Sequence, residues 1–162
     1  MEIQKAKLKD IPMIESILFE AADWMDTHNL HMWEKEKLVW SHLSKIYKLE
    51  NFYLGFDQGK PVSCMALVDY DPIIWPDVKS GESLFIHKLA VSRSAAGKGY
   101  SQKMIAYAKT QCKTRSVPAL RLDCHQYRAK LRALYEKEGF VCCGETLLFG
   151  VYPTAFYVLQ IE

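Results

Sequence analysis

The sequence predicts a single mixed α/β domain with the element order β-α-α-β-β-β-α-β-α-β-β. Three observations carry this. The chain has 162 residues, which suits one domain and leaves little room for a second. Short extended apolar runs alternate with longer segments of helical period. Near the middle, the apolar run Ser83–Val91 leads through a glycine turn and a helical segment into a second apolar run, the pattern of a parallel crossover.

The elements follow in order. Residues Glu2 to Leu8 alternate polar and apolar, as a short strand does. Asp10 then offers an N-cap and Pro12 suits a first helical turn. Ile11, Ile14, Leu18 and Ala21 recur at helical spacing, so a helix is expected from Asp10 to about Met25. A connection over Thr27 to Trp33 and a second helix over about Glu34 to Leu49 come next, with Leu38, Leu43 and Ile46 facing inward. The stretch "NFYLGFDQGKPVSCMALVDYD" holds two extended runs about Asp57-Gln58-Gly59-Lys60, a hairpin signal. Pro72, Pro76 and Gly81 mark Asp71 to Gly81 as a loop. Ser83 to Val91 is nearly all apolar apart from His87 and Lys88, which predicts a strand central in the sheet. Met104, Ile105, Ala108 and Cys112 share one face of the following helix. Ala119 to His125 is another strand. "RAKLRALYEKE" is a last helix, closed by Gly139 as a left-handed residue. The runs "FVCCGETLLF" and "TAFYVLQI" finish the sheet.

Composition bounds the function. The chain is 49% hydrophobic and 25% charged, near the average for a soluble globular domain. Its net charge of +2, from 21 basic and 19 acidic residues, calls for neither nucleic acid nor membrane as partner. The first ten residues lack the apolar segment of a signal peptide, so a cytoplasmic protein is expected. The five cysteines are odd in number and form no C-x-x-C. Neither a disulfide framework nor a structural metal site is therefore expected.

The stretch with most chemical content is "SAAGKGYS", Ser94 to Ser101, at the point where the crossover leaves its first strand. Anions bind well at such places, because amides at a helix start are exposed. Two phosphate-binding patterns fail here. A P-loop requires an earlier glycine where Ser92 stands, and a Ser or Thr after the lysine where Gly99 stands. The dinucleotide fingerprint requires a third glycine where Gln102 stands. A plain strand-to-helix turn remains as the bland alternative.

The surroundings decide for a richer reading. "HKLAVSRSAAGKGYSQKMI", then "LRLDCH", then "RAKLRALYEKEGF" resembles the GCN5-related N-acetyltransferases (GNAT). Leu134, Tyr135, Glu136, Lys137, Gly139 and Phe140 reproduce the ending of that family's last helix in order and spacing. The resemblance is specific over Ser83 to Phe140 and architectural elsewhere. It implies a single GNAT domain over residues 1–162, with acetyl-CoA as co-substrate.

The same resemblance implies roles for individual residues. In the family, the pattern Gln/Arg-x-x-Gly-x-Gly/Ala holds the coenzyme's pyrophosphate. This chain keeps both glycines and has Ser94 in the first place. The cradle would then span Ser94, Ala95, Ala96, Gly97, Lys98, Gly99, Tyr100 and Ser101, with Arg93 placed to compensate for Ser94. The backbone of Leu89, Ala90 and Val91 would pair with the pantetheine arm, and an amide there would polarise the thioester carbonyl. Arg128 stands where many relatives have Asn and is a candidate for the coenzyme phosphates. Tyr135 is the candidate acid that protonates the departing thiolate. The acceptor, a small-molecule amine or a peptide, would meet an aromatic and acidic wall from Trp24, His28, Trp33, Tyr70 and Asp71.

His87 is the candidate base. It interrupts an apolar strand, and imidazole suits proton transfer near neutrality. A core histidine, with a water chain as base, is the competing reading. A covalent route through Cys124 is the rival mechanism. Its neighbour His125 faces the other way in a strand, which disfavours a Cys-His dyad. Two other classes remain alongside an N-acetyltransferase. One is a catalytically silent acyl-CoA-binding sensor, the other a partner-binding module of the same fold. The last strands leave a homodimer open.

Overall fold

The computed structural model describes residues Met1–Glu162. Seven strands and four α-helices follow in the expected order. They are β1 (Glu2–Lys5), α1 (Ile11–Thr27), α2 (Trp40–Leu43), β2 (Phe52–Asp57), β3 (Lys60–Val68), β4 (Leu84–Val91), α3 (Tyr100–Thr114), β5 (Ala119–His125), α4 (Ala129–Lys137), β6 (Val141–Leu148) and β7 (Tyr152–Gln160). One sheet holds all seven strands in the order β1-β2-β3-β4-β5-β7-β6. β4 lies at its centre, as the apolar composition of that strand predicts.

Local rules explain most boundaries. The β2–β3 turn has Gln58 and Gly59 both at positive φ, the two-residue turn whose twist suits a hairpin. Asp10 caps a different turn from the one expected. Its carboxylate accepts a 2.8 Å hydrogen bond from the Lys7 amide and closes the short 3-10 turn before α1. The helix itself runs two residues past Met25.

The second helix is the main departure. Residues Glu34 to Leu49 form one 3-10 turn, the single turn of α2 and the start of a second 3-10 turn (Leu49–Asn51) rather than one helix. Leu38 and Leu43 are buried as expected, but Ile46 is exposed. The cause is packing. Leu38 and Trp40 both pack on the same core. Residues two apart sit roughly 200° apart on a helix and cannot share its face. Val39 is extended, which lets both side chains turn inward. The Trp40 amide then donates to Glu15 of α1 at 2.7 Å, fastening this segment to the first helix.

The sheet separates two cores. Tyr53, Met65, Leu67, Leu84 and Ile86 pack beneath α3, with Met104, Ile105, Ala108 and Cys112 as its fully buried face. Phe52, Leu54, Cys64 and Ala66 pack beneath α1 and α2 on the other side. The alternation along β2 and β3 is the period-2 signature of strands covered on both faces.

One irregularity and one divergence shape the centre. Ala66 pairs with His87 and Cys64 with Ala90, so Lys88 and Leu89 oppose the single residue Met65. This is a β-bulge in β4, and Lys88 sits in it at φ +52. β4 and β5 run parallel, and they pair only at Leu84–Leu120 and Phe85–Arg121. Beyond Phe85 they separate. The edge of β4 that faces β5 is then without a strand partner as far as Val91.

The end of α4 fixes Tyr135. The Phe140 amide donates to the Tyr135 carbonyl at 3.0 Å and the Gly139 amide to that of Glu136 at 3.0 Å. This is a Schellman motif, with Gly139 at φ +96 as its left-handed residue. The Phe140 ring lies 5.9 Å from that of Tyr135, supplying the apolar contact that accompanies the motif. A methyl group at Gly139 would meet Leu159 at 3.2 Å in addition to the backbone strain. Gly139→Ala is therefore expected to lose roughly 1–2 kcal/mol of stability. Urea unfolding checks this, and an unchanged midpoint would show that α4 ends acceptably without a left-handed residue.

Candidate active site

The divergence of β4 and β5 opens two connected cavities. One lies against the glycine turn and is lined by Leu89, Ala90, Val91, Ala96, Gly97 and Gly99 among others. The second, of about 520 Å³, lies under the Asp71–Ile74 loop and α2. Met25, Trp33, Leu89, Arg128, Leu131 and Tyr135 line both. These six residues mark the junction of the two cavities.

The turn cavity is built for an anion. None of the amides from Gly97 to Gln102 finds an acceptor within the chain. Gly97 and Gly99 have φ near +78 and +77, conformations that L side chains rarely adopt. Two left-handed residues around Lys98 turn successive N–H groups toward the start of α3, where the helix dipole adds positive potential. Lys98 and Ser94 line neither cavity and are exposed. Ser94 Oγ only approaches Ser92 Oγ, at 3.4 Å. Ala95 is buried beneath the turn and Ser101 lines the cleft. The Tyr100 side chain leaves the site, because its hydroxyl donates to Asp57 at 2.5 Å.

Trp24 belongs to this side rather than to an acceptor wall, which corrects the expectation from sequence. It lines the turn cavity and not the larger one. Two guanidinium groups lie over its ring, Arg93 at 4.8 Å and Arg128 at 5.1 Å. The ring therefore gathers two cations beside the unpaired amides. His28 is likewise corrected. It stacks on Trp24 at 4.1 Å, contacts the Trp24 carbonyl through Nδ1 at 2.7 Å, and lines neither cavity. Residues four apart on a helix share a face, which brings these two rings together.

The larger cavity holds Trp33, Tyr70, Asp71 and His87 as expected. His87 Nε2 lies 2.8 Å from Asp71 Oδ2, with both side chains about nine-tenths buried. The approach is a close contact whose angle falls short of an aligned hydrogen bond, and Oδ2 has no other partner. The other carboxylate oxygen accepts from the Ile74 amide at 3.0 Å. Burial pushes the Asp71 carboxyl up, but the adjacent imidazole and the loop amides outweigh it and leave it below the usual range. Asp71 is thus an anion that holds the His87 ring rather than a free acidic wall.

Tyr135 is buried, and its ring packs on Phe140 and Tyr157. Burial drives its hydroxyl well above the ordinary phenol range, so the proton stays on at neutral pH. Cys124 also lines the larger cavity, but burial pushes its thiol up to about 12. A thiol held there is a poor nucleophile at neutral pH. His125 keeps its ring nitrogen Nδ1 engaged with the Tyr127 amide at 3.2 Å.

Sequence reasoning passed over two charged residues here, Lys88 and Asp123. Both line the larger cavity. Simple alternation sends Lys88 to the face opposite His87, but the bulge turns both into the same cavity. The Lys88 ammonium lies 4.9 Å over the Trp33 ring and burial lowers it to about 8. Burial raises the Asp123 carboxyl, while His87 and Lys88 nearby draw it down. Two consecutive titratable residues in an apolar strand were the available signal.

The comparisons with known proteins now bear on this geometry. The model of the acetyltransferase (GNAT) family matches residues 17–140. The chain is 26% identical over 145 residues to the uncharacterized N-acetyltransferase YesJ of Bacillus subtilis (strain 168), covering 86% of this chain and 81% of that one. It resembles the crystal structure of a GNAT-family acetyltransferase from Listeria monocytogenes 4b F2365, with a TM-score of 0.76 and 20% identity, covering 98% of this chain and 94% of that one. It also resembles yncA, a putative acetyltransferase from Salmonella typhimurium seen with its cofactor acetyl-CoA. There the TM-score is 0.71 and the identity 16%, over 100% of this chain and 94% of that one. The chain belongs to the acetyltransferase (GNAT) family and is an acyltransferase.

Lys88 makes a pH-dependent prediction. Its folded-state value of about 8 lies below lysine's ordinary 10.5. Between those values the unfolded chain binds the extra proton, so the contribution of this group to stability rises with pH across that window. Below about 8 both states are protonated and the cost of the buried charge is complete. Lys88→Met should therefore be more stable than the parent at pH 7, with the gap narrowing from about pH 8 to 10.5. Thermal unfolding across that range checks this, and a gap independent of pH would mean that Lys88 titrates normally.

Proposed function

We propose that this acetyltransferase moves the acetyl group of acetyl-CoA to a primary amine by direct attack, with both substrates bound together. The observation that carries the reading is the junction of the two cavities. An amide-lined anion cradle and an apolar chamber with a His–Asp pair meet at Leu89 and Tyr135.

Each part has a task. The amides from Gly97 to Gln102 receive the pyrophosphate of the coenzyme, with Arg93 and Arg128 supplying the charge that Ser94 lacks. The open edge of β4 from Leu89 to Val91 pairs with the pantetheine amides as an added strand would. An N–H at Leu89 or Ala90 stabilises charge developing on the thioester oxygen. His87, held by Asp71, takes a proton from the acceptor ammonium and so frees the nitrogen lone pair. The nitrogen attacks the carbonyl carbon and the carbon–sulfur bond breaks. Tyr135 gives its proton to the leaving thiolate, and the second proton shed by nitrogen restores the phenol through water. Amine cation and thioester become amide, thiol and one proton released to solvent.

An acetyl-CoA consumption screen across small amines, amino acids and peptide N-termini tests the reading. Tight coenzyme binding without turnover on any acceptor would favour a silent sensor instead. Tyr135→Phe keeps the ring and deletes only the proton, so kcat should fall about a hundredfold. Retained kcat would reduce Tyr135 to a packing residue. His87→Ala should cost a similar factor and lose the acidic limb of the kcat/KM profile. An unaltered pH profile removes His87 from the mechanism.

The cradle has its own test. Arg93→Ala and Arg128→Ala should each weaken coenzyme A binding about tenfold, roughly 1.4 kcal/mol, whereas Ser94→Ala changes little. Calorimetric titration with coenzyme A reads this. A loss confined to Ser94→Ala would place the phosphates on the other side of the turn.

A further inference from the structure

Lys88 and Asp123 have no task in the mechanism above, yet both line the larger cavity. Neither has a hydrogen-bond or ion-pair partner in the chain. They influence each other through space but lie more than the 4.0 Å of an ion pair apart. A half-buried cation and a half-buried anion without a partner of opposite charge in contact are costly, and a ligand that brings the complementary charges recovers part of that cost.

We infer that the acceptor is a free α-amino acid with an apolar side chain, its ammonium turned to Asp123 and its carboxylate to Lys88. The inference rests on the acetyltransferase reading and narrows its substrate. Asp123 and His87 line the same cavity and their charges interact, so an ammonium held at Asp123 shares the chamber with the proposed base. Lys88 adjoins Leu89, where the two cavities meet, so the carboxylate end also stays near the thioester. Lys37 lies near Lys88 and adds positive potential at the rim. The remaining walls are mainly apolar, Tyr47, Ile86 and Leu122 among them. A cavity of about 520 Å³ leaves room for a large apolar side chain beside the charged end.

Other amines complement this cavity less well. A peptide N-terminus has an amide in place of the carboxylate and leaves the half-buried ammonium of Lys88 without an anion. A decarboxylated amine does the same. A polyamine would bring a second cation toward Lys88. Sites built around buried polar groups reject analogues that leave those groups unpaired, and do so more strongly than they reject a change of apolar size.

The test compares acetyl-CoA consumption by the full chain with L-leucine, L-phenylalanine, L-phenylalanine methyl ester and phenethylamine. The free acid should exceed ester and amine at least tenfold in kcat/KM. In Lys88→Met the acid-to-ester ratio should collapse toward one. The ratio in the parent chain stands by itself, so the inference does not depend on the variant folding. An ester or simple amine acetylated as well as the free acid overturns the inference and leaves amine acetylation intact, as does a ratio that survives in Lys88→Met. No turnover with any of them overturns the inference and leaves amine acetylation to the wider acceptor screen.

Discussion

The structure depends on the parting of two parallel strands. β4 and β5 pair for two residues and then separate. Inside a sheet this forfeits backbone hydrogen bonds, each of which contributes on the order of 1 kcal/mol. The loss is tolerable because each strand is held on its other side. β4 stays paired to β3 as far as Val91, and β5 to β7 along its whole length. The open wedge supplies a strand edge with free N–H and C=O groups, and depth for two cavities. A continuous sheet would have neither.

The bulge at Lys88 turns that wedge into a reactive site. Ile86 packs beneath α3, but Ala90 packs beneath α1 and α2. Four residues apart on a regular strand, they would share a face. The extra residue reverses the alternation and brings His87, Lys88 and Leu89 to one cavity. A lysine at positive φ costs on the order of 1 kcal/mol or more, and such strain is typical where a fold re-aims side chains for chemistry. The separation from β5 frees the edge at Leu89, and the bulge delivers the charges beside it.

Much of this was legible in the sequence, and the limits have physical causes. "LYEKEGF" fixed the end of α4, because a Schellman motif is local and needs a glycine where the chain turns left-handed. The hairpin at Gln58-Gly59 and the central position of β4 follow from equally local rules. The family resemblance reached the glycine turn for the same reason. Periodicity failed over Glu34 to Leu49, where the core wants Leu38 and Trp40 together and overrides the helix. It failed again at Lys88, since a bulge breaks the strict alternation and only the adjacent His87 and Lys88 mark it. Trp24 was assigned to the wrong cavity. Its partners Arg93 and Arg128 lie far along the chain, and no spacing rule connects them.

Those two arginines show how a site can lose a family residue and keep its charge. With Ser94 exposed and turned away, the usual side-chain donor at that position is absent. Arg93 anchors its own amide to Glu20 of α1 at 2.8 Å, and its guanidinium then lies over Trp24 of the same helix. Arg128 reaches the same ring from the start of α4. An arginine resting on an aromatic face gives up less conformational freedom when it meets a phosphate, so more of the attraction appears as affinity. Trp24 of α1, expected from sequence on the acceptor side, is in the proposed reading part of the platform for the coenzyme. The same reading leaves the acceptor to the chamber into which the bulge turns His87 and Lys88.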